Sequence, residues 1–276
     1  MIPLINKIID AHGGAEYWNT LEALEAEISV RGFLFTAKRV PVLNRVQVRA
    51  LTREARFSFL DFPQPSQTGN FFGNEKVCIT GSHMKAYMER LNPRSAFRNI
   101  RRWFYWDSLD FIYFGGYATW NYFLTSFLFL RKGFQFHELG PINGFFGTWS
   151  RLRVIFPDDI PTHSRTQIFY FDDHFLLRRL DYTAEVVGRW AHAAHLCDEY
   201  REFEGLKIPT RRRVFPLMFG NKPLPGPTLV AIDVHDLRPV EASFERCSYE
   251  VSGQNKQEQN KETAMEVLKH NEPTSK

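Results

Sequence analysis

Cysteine is scarce in this chain. Three occur, Cys78, Cys197 and Cys247, without paired spacing, so neither a disulfide framework nor a CxxC pair is indicated. A glycine-rich phosphate loop, a nucleophile elbow and a zincin helix are also missing, and no cofactor is assigned. Positive charge is not massed. The net charge is +4 over 276 residues, and basic residues are scattered or in short runs such as Arg101-Arg102 and Arg211-Arg212-Arg213. No recognition motif accompanies them, so no nucleic-acid partner is expected. The opening MIPLINKIIDAHGG has no long apolar run and no small-residue cleavage site, and it carries Lys7 and Asp10. It does not read as a secretory signal, and the expected location is the cytoplasm.

What the chain does have is rings: 26 Phe, 10 Tyr and 6 Trp. Aromatic side chains bring large apolar area with few rotatable bonds, so they build stiff cores and flat-walled pockets for apolar ligands. They concentrate between Trp103 and Arg131, where WFYWD is followed by the uncharged FIYFGGYATWNYFLTSFLFL. That run matches the length of about 20 residues that a membrane span needs. Its Asn121, Tyr117 and Tyr122 would then sit near mid-bilayer, where an unpaired polar group is costly. The aromatics are also spread through the run rather than gathered at its ends. A buried helix with polar handles fits better than a membrane contact. Trp106, Asp110, Tyr113, Tyr117, Trp120, Leu124 and Phe127 fall near one face of it, and Gly115-Gly116 predicts a kink or a break into two helices.

Around this segment the period is two. Leu24, Ala26, Ile28 and Val30 alternate with Glu25, Glu27, Ser29 and Arg31, and similar short patterns follow at 45–49, 56–59, 76–80, 85–90, 152–156, 167–171, 176–182, 201–203, 211–215 and 229–234. Short strands separated by turn residues predict an antiparallel sandwich or barrel. Ile5, Ile8 and Ile9 predict an N-terminal helix stopped by Gly13-Gly14. The expected organisation is one domain over 1–250, with 103–131 as a helical insertion, and a disordered polar tail over 251–276.

Chemistry-bearing residues are few. His192 and His195, with Cys197 and Asp198, would share a face on a helix, but no further ligands of recognisable spacing stand out and no metal is assigned. Asp181 and Tyr182 sit at a strand end. A carboxyl facing an apolar cavity has a raised pKa and can exchange protons near neutrality; alternatively Asp181 pairs with one of Arg178, Arg179, Arg211, Arg212 and Arg213. Alternation sets Arg211 and Arg213 on one strand face and Arg212 on the other. An inward arginine could anchor an anionic or enolate oxygen, and Arg211 is the candidate for that role.

The helix ending in Ala11-His12-Gly13-Gly14, with Trp18 shortly after and meandering strands beyond, resembles bacterial lipoprotein carriers. Asp181 to Val186, Gly205-Leu206 and Pro209 to Arg212 resemble an uncharacterised cytosolic branch of such proteins. The resemblance implies a mainly β fold: a curved antiparallel open barrel enclosing a hydrophobic cavity, with an N-terminal helix and an aromatic helical insertion. An aromatic-rich cavity without cofactor or nucleophile motif also resembles the fungal hetero-Diels–Alderases of tropolone–sesquiterpenoid pathways. That second resemblance implies a cofactor-independent pericyclase or cyclase acting on a hydrophobic polyketide or terpenoid, since cycloaddition needs orientation more than acid–base power. The expected partner is a hydrophobic small molecule. Trp106, Tyr113, Tyr117, Trp120 and Asn121 are the expected substrate contacts, with Tyr182, Asp181 and Arg211 as catalytic groups. The alternative is a non-catalytic carrier of lipid or isoprenoid ligands.

Overall fold

Alternation of apolar and polar residues builds most of this protein, and a single helix fills what the strands enclose. The computed structural model describes residues 3–81, 86–144, 147–218 and 221–242. One compact unit ends at Glu241; the tail expected over 251–276 lies outside the described residues. The chain opens with α1 (Pro3–His12), which buries Ile5, Ile8, Ile9 and His12, and α2 (Ala15–Trp18). Then come β1 (Leu21–Arg31), α3 (Phe33–Ala37), β2 (Leu43–Leu51), β3 (Arg56–Leu60), β4 (Thr68–Phe72), β5 (Lys76–Thr80) and β6 (Ala86–Leu91). Next are α4 (Pro93–Ala96) and α5 (Ser108–Leu124). The rest is β7 (Gln135–Gly144), β8 (Gly147–Ile155), β9 (Thr166–Phe171), β10 (Leu177–Thr183), β11 (His192–Phe203), β12 (Leu206–Met218), β13 (Lys222–Pro223) and β14 (Val230–Glu241).

The strands form one antiparallel sheet in the order β6-β5-β4-β3-β2-β1-β14-β12-β11-β10-β9-β8-β7, with β13 beside β12. It is curved and not closed, the open barrel expected from the sequence. β6 and β7 are the two free edges, so the link between them crosses from one edge to the other, and it carries α5. Every residue from Leu109 to Leu124 is buried. A helix enclosed on all sides has no polar face to show, which explains why its sequence resembles a membrane span. Among the described residues no helix is long and apolar enough to cross a membrane.

The Gly115-Gly116 pair does not break α5, contrary to the sequence expectation. The two glycines make room for rings instead. A Cβ on Gly116 would lie 2.7 Å from Cβ of Phe71 on β4, and a Cβ on Gly69 of β4 would meet Ile112 of α5 at 2.8 Å. Helix and strand therefore touch through glycine on each side, and the helix stays continuous.

α5 begins with a capping box. The Asp107 carboxylate accepts from the Asp110 N–H at 2.9 Å, and the Asp110 carboxylate accepts from the Asp107 N–H at 3.1 Å. This satisfies two of the free amide donors at the helix start. Arg90 donates to both carboxylates, at 2.8 Å to Asp107 and 2.7 Å to Asp110, and Arg102 donates to Asp110 at 2.9 Å.

Candidate functional site

Where β10, β11 and β12 lie side by side, strand alternation decides which side chains face α5. Tyr182 pairs with Ala193, which pairs with Pro216; Leu180 pairs with His195, which pairs with Val214; and Cys197 pairs with Arg212. These residues share the inner face. Their immediate neighbours Asp181, Ala194 and Arg211 point the other way.

Tyr182 meets α5 in a buried polar chain. The Tyr182 and Tyr122 hydroxyls are 2.9 Å apart. The Tyr122 hydroxyl lies 2.7 Å from Nε2 of His163, and the Tyr117 hydroxyl lies 3.1 Å from Nδ1 of the same ring. The rings of His163 and Tyr182 stack at 4.0 Å, almost parallel. Burial holds His163 neutral by pulling its pKa down to about 3, and it raises the Tyr117, Tyr122 and Tyr182 hydroxyls above the usual phenol range. A neutral imidazole donates from one nitrogen and accepts at the other. The chain Tyr182–Tyr122–His163–Tyr117 therefore has two complete arrangements. In one, His163 donates to Tyr117, Tyr122 donates to His163, and Tyr182 donates to Tyr122. In the other every bond reverses, Tyr122 donates to Tyr182, and the Tyr182 proton is free for another acceptor.

Two further groups border this chain. His195 is fully buried, its ring stands edge-on to Tyr122 at 4.3 Å, and neither ring nitrogen has a hydrogen-bond partner among the described residues. Burial, with the Arg212 cation adding to it, pushes its pKa well below the ordinary histidine value. Arg212 is buried and pairs with no carboxylate among the described residues. It donates to the Tyr122 carbonyl at 2.7 Å and to Sγ of Cys197 at 3.3 Å, and its cation lies 5.4 Å from the Tyr122 ring centre. The Tyr122 carbonyl belongs to the last turn of α5, where the helix dipole is negative, and this partly offsets the buried charge.

Tyr182 also lines a cavity of about 360 Å³. Its walls come from α3, from Phe114 of α5, from the β10–β11 hairpin including Ala184, Val187 and Ala193, and from Val214, Leu217 and Val230. Phe33, Trp190 and Met218 also line it and are exposed, at 56%, 70% and 52%. Exposed large apolar groups beside an apolar cavity mark an entrance. Lys38 and His192 also line the cavity.

The structure separates the residues expected from sequence. Tyr182 reaches both the cavity and the polar chain, and Tyr117 stands at the far end of that chain. Trp106, Tyr113 and Trp120 lie in the core. Their polar atoms are used locally: the Trp106 indole donates to the Arg102 carbonyl, the Tyr113 hydroxyl to Asn74, and the Trp120 indole to the Leu51 carbonyl. Asn121 ties α5 to the segment carrying His163 by donating to the Pro161 carbonyl at 2.7 Å. Asp181 is on the outer face, held by Arg179 at 2.7 Å and by the Tyr170 hydroxyl at 2.7 Å. Burial pushes its carboxyl upward and these two partners oppose the shift. Arg211 is half exposed and pairs with Glu199 at 2.9 Å. Neither Asp181 nor Arg211 joins the cluster.

His192 and His195 lie on a strand rather than a helix, so three residues of separation put them on opposite faces; His192 is exposed and His195 is buried. No group of three or more His, Cys, Asp or Glu side chains suited to a metal ion occurs among the described residues. Tyr122, His163, Arg212 and Lys38 were not singled out from sequence. The alternation of Arg211, Arg212 and Arg213 was the one signal that could have found Arg212.

No family model matches the chain, and no curated protein matches it in sequence. Solved structures do share its fold. A LolA superfamily protein from Nitrosomonas europaea superimposes with a TM-score of 0.50 at 12% identity, over 87% of this chain and 93% of its own. A domain from Vibrio parahaemolyticus, provisionally described as an outer membrane lipoprotein-sorting protein, gives 0.50 at 10% identity, over 92% and 95%. At these identities the likeness extends to the fold alone.

Proposed function

We propose that this protein binds a hydrophobic small molecule in the cavity between α3, the β10–β11 hairpin and β12, and that it acts as a carrier. The observation that carries this reading is the cavity itself: about 360 Å³, apolar-walled, with exposed Phe33, Trp190 and Met218 on its lining. Burying apolar ligand area there is favourable by roughly 25 cal/mol per Å² before the costs of association. The fold likeness to a lipoprotein-sorting domain supports the same reading, whereas the comparisons lend nothing to the Diels–Alderase resemblance.

The test is native mass spectrometry of protein purified without detergent, followed by extraction of any bound molecule. Wild type should carry an apolar adduct. Ala193→Phe, which fills the cavity from its β11 wall, should lose it while keeping a cooperative melting transition. An unchanged adduct in Ala193→Phe would sink the assignment of the cavity.

A cofactor-independent cyclase of a polyketide or terpenoid is the second reading. One observation favours it: Tyr182 stands on the cavity wall at the end of a hydrogen-bonded chain that can release its proton for donation. Such a donor, aimed at a substrate carbonyl in a site closed to water, stabilises developing negative charge. A single cyclised product in the extract would support this reading, and a mixture of unaltered apolar molecules would support the carrier.

A further inference from the structure

Lys38 follows the last residue of α3, and its backbone is held at both ends. Its N–H donates to the Leu34 carbonyl at 3.0 Å, and its carbonyl accepts from the Trp106 N–H at 3.0 Å. The side chain is 8% exposed. It runs along the cavity wall, and Nζ donates to the Trp103 carbonyl at 2.5 Å with the Trp106 ring centre 5.8 Å away. No carboxylate among the described residues pairs with it. An ammonium carries three donors; the carbonyl takes one and leaves two.

A buried cation without an anion is costly in a folded protein. The buried and half-buried arginines find relief. Asp107 and Asp110 surround Arg90 and Arg102, Asp181 pairs with Arg179, and Arg212 meets a helix C-terminus. Lys38 has one carbonyl and a ring face. Apart from His192 and Tyr182 the wall around it is largely apolar, so a ligand that reaches it needs a hydrocarbon body and one anionic end. A free N–H of the ammonium gives a carboxylate oxygen a charge-assisted hydrogen bond. A cavity near the lower end of the roughly 300–1,000 Å³ range of small-molecule sites suits one chain rather than a two-chain lipid.

We propose that the cavity takes a single-chain carboxylate amphiphile, with its hydrocarbon against Phe114, Val187 and Val214 and its carboxylate on Nζ of Lys38. The inference rests on the cavity reading above and names the chemistry of its ligand. Burial also lowers the Lys38 pKa from the ordinary lysine value, a shift that an arriving carboxylate reverses.

The experiment titrates the full chain at pH 7 with dodecanoic acid and, separately, with its methyl ester, following tryptophan fluorescence. The acid should bind wild type about tenfold or more tightly than the ester, the size of a hydrogen-bonded charge in a dry site. Lys38→Met keeps the stem and removes the charge. It should bring the acid down to the affinity of the ester and leave the ester unchanged. Equal affinity of acid and ester for wild type overturns the role of Lys38 and leaves the cavity standing. Because that comparison needs no variant, it holds even if Lys38→Met folds poorly. Failure of both ligands to bind overturns the cavity reading as well.

Discussion

The two ends of α5 handle buried polarity in opposite ways. At its start, Asp107 and Asp110 cap the helix and meet Arg90 and Arg102, so each charge has a counter-charge and each carboxylate oxygen a donor. Towards its end, Tyr117 and Tyr122 enter a chain of neutral hydroxyl and imidazole groups, and the nearby arginine has a carbonyl and a thiol for partners. The first arrangement leaves little to do chemically, because moving any proton breaks an ion pair. The second has two equivalent arrangements and an unpartnered histidine. A cluster that is fully paired serves the fold. A cluster that is neutral and incompletely paired, and shares Tyr182 with a cavity, can respond to a ligand.

Removing Asp110 gives the largest expected effect. Asp110→Ala takes away one half of the capping box and leaves Arg90 and Arg102 with Asp107 alone. Breaking a buried pair in this way costs about 3–5 kcal/mol, read as a loss of urea unfolding free energy. Ligand affinity of the folded protein should not change. A loss below about 1 kcal/mol would mean that the N-terminal cluster is solvated after all and that the contrast between the two ends is false.

Acid separates the ends by pH. His12, His163 and His195 are held neutral by burial, His12 down to about 4 and His163 to about 3. Unfolded histidines take a proton near 6.5. As pH falls below that value the unfolded state binds protons that the fold refuses, and stability drops by about 1.4 kcal/mol per pH unit for each histidine. At the other end Asp107 is held below the ordinary carboxylate value by Arg90, so its contribution is present above the unfolded pKa and is lost only as pH falls through the lower folded one. Burial raises the pKa of Asp110 and Asp181, so the histidine share is read from a variant: His163→Gln should remove one proton from the slope of unfolding between pH 6.5 and 5, about 2 kcal/mol over the interval. An unaltered slope in the variant would mean that His163 is not buried neutral.

How much of this was legible follows from which interactions are local. Alternation in LEALEAEISVR and in RFSFL is visible because polar residues recur on one face of each strand, and both segments became strands. Of β11 only 201–203 was read as a strand; the stretch HAAHLC hid its start because Ala193, Ala194 and His195 are all buried, which erases the period of two. TGNFF and QFHELGPING were missed as well. The first carries Gly69 because a helix presses against it, and the second is a sheet edge with little to bury. The rings of α5 were legible as buried, but not which of them would be used. Whether a tyrosine meets a backbone carbonyl, an asparagine or a histidine depends on a strand or loop tens of residues away. Tyr113 and Tyr122 look alike in sequence, yet one hydroxyl ends on Asn74 and the other joins His163 to Tyr182.

The smallest expected effect concerns Arg211, the arginine that sequence reasoning placed at the site. On β12 it alternates with Arg212, so the two neighbours carry the same charge to opposite faces. Arg211 is half exposed and its partner Glu199 is 61% exposed. An ion pair in that setting contributes between zero and about 1 kcal/mol, because water screens it and two mobile side chains must be held still. Arg211→Ala should therefore shift the unfolding midpoint little and leave uptake of the apolar ligand as in wild type. If uptake fell with Arg211→Ala while stability held, the polar work would lie on the outer face of β12. The contrast between the two ends of α5 would then not be where the function resides.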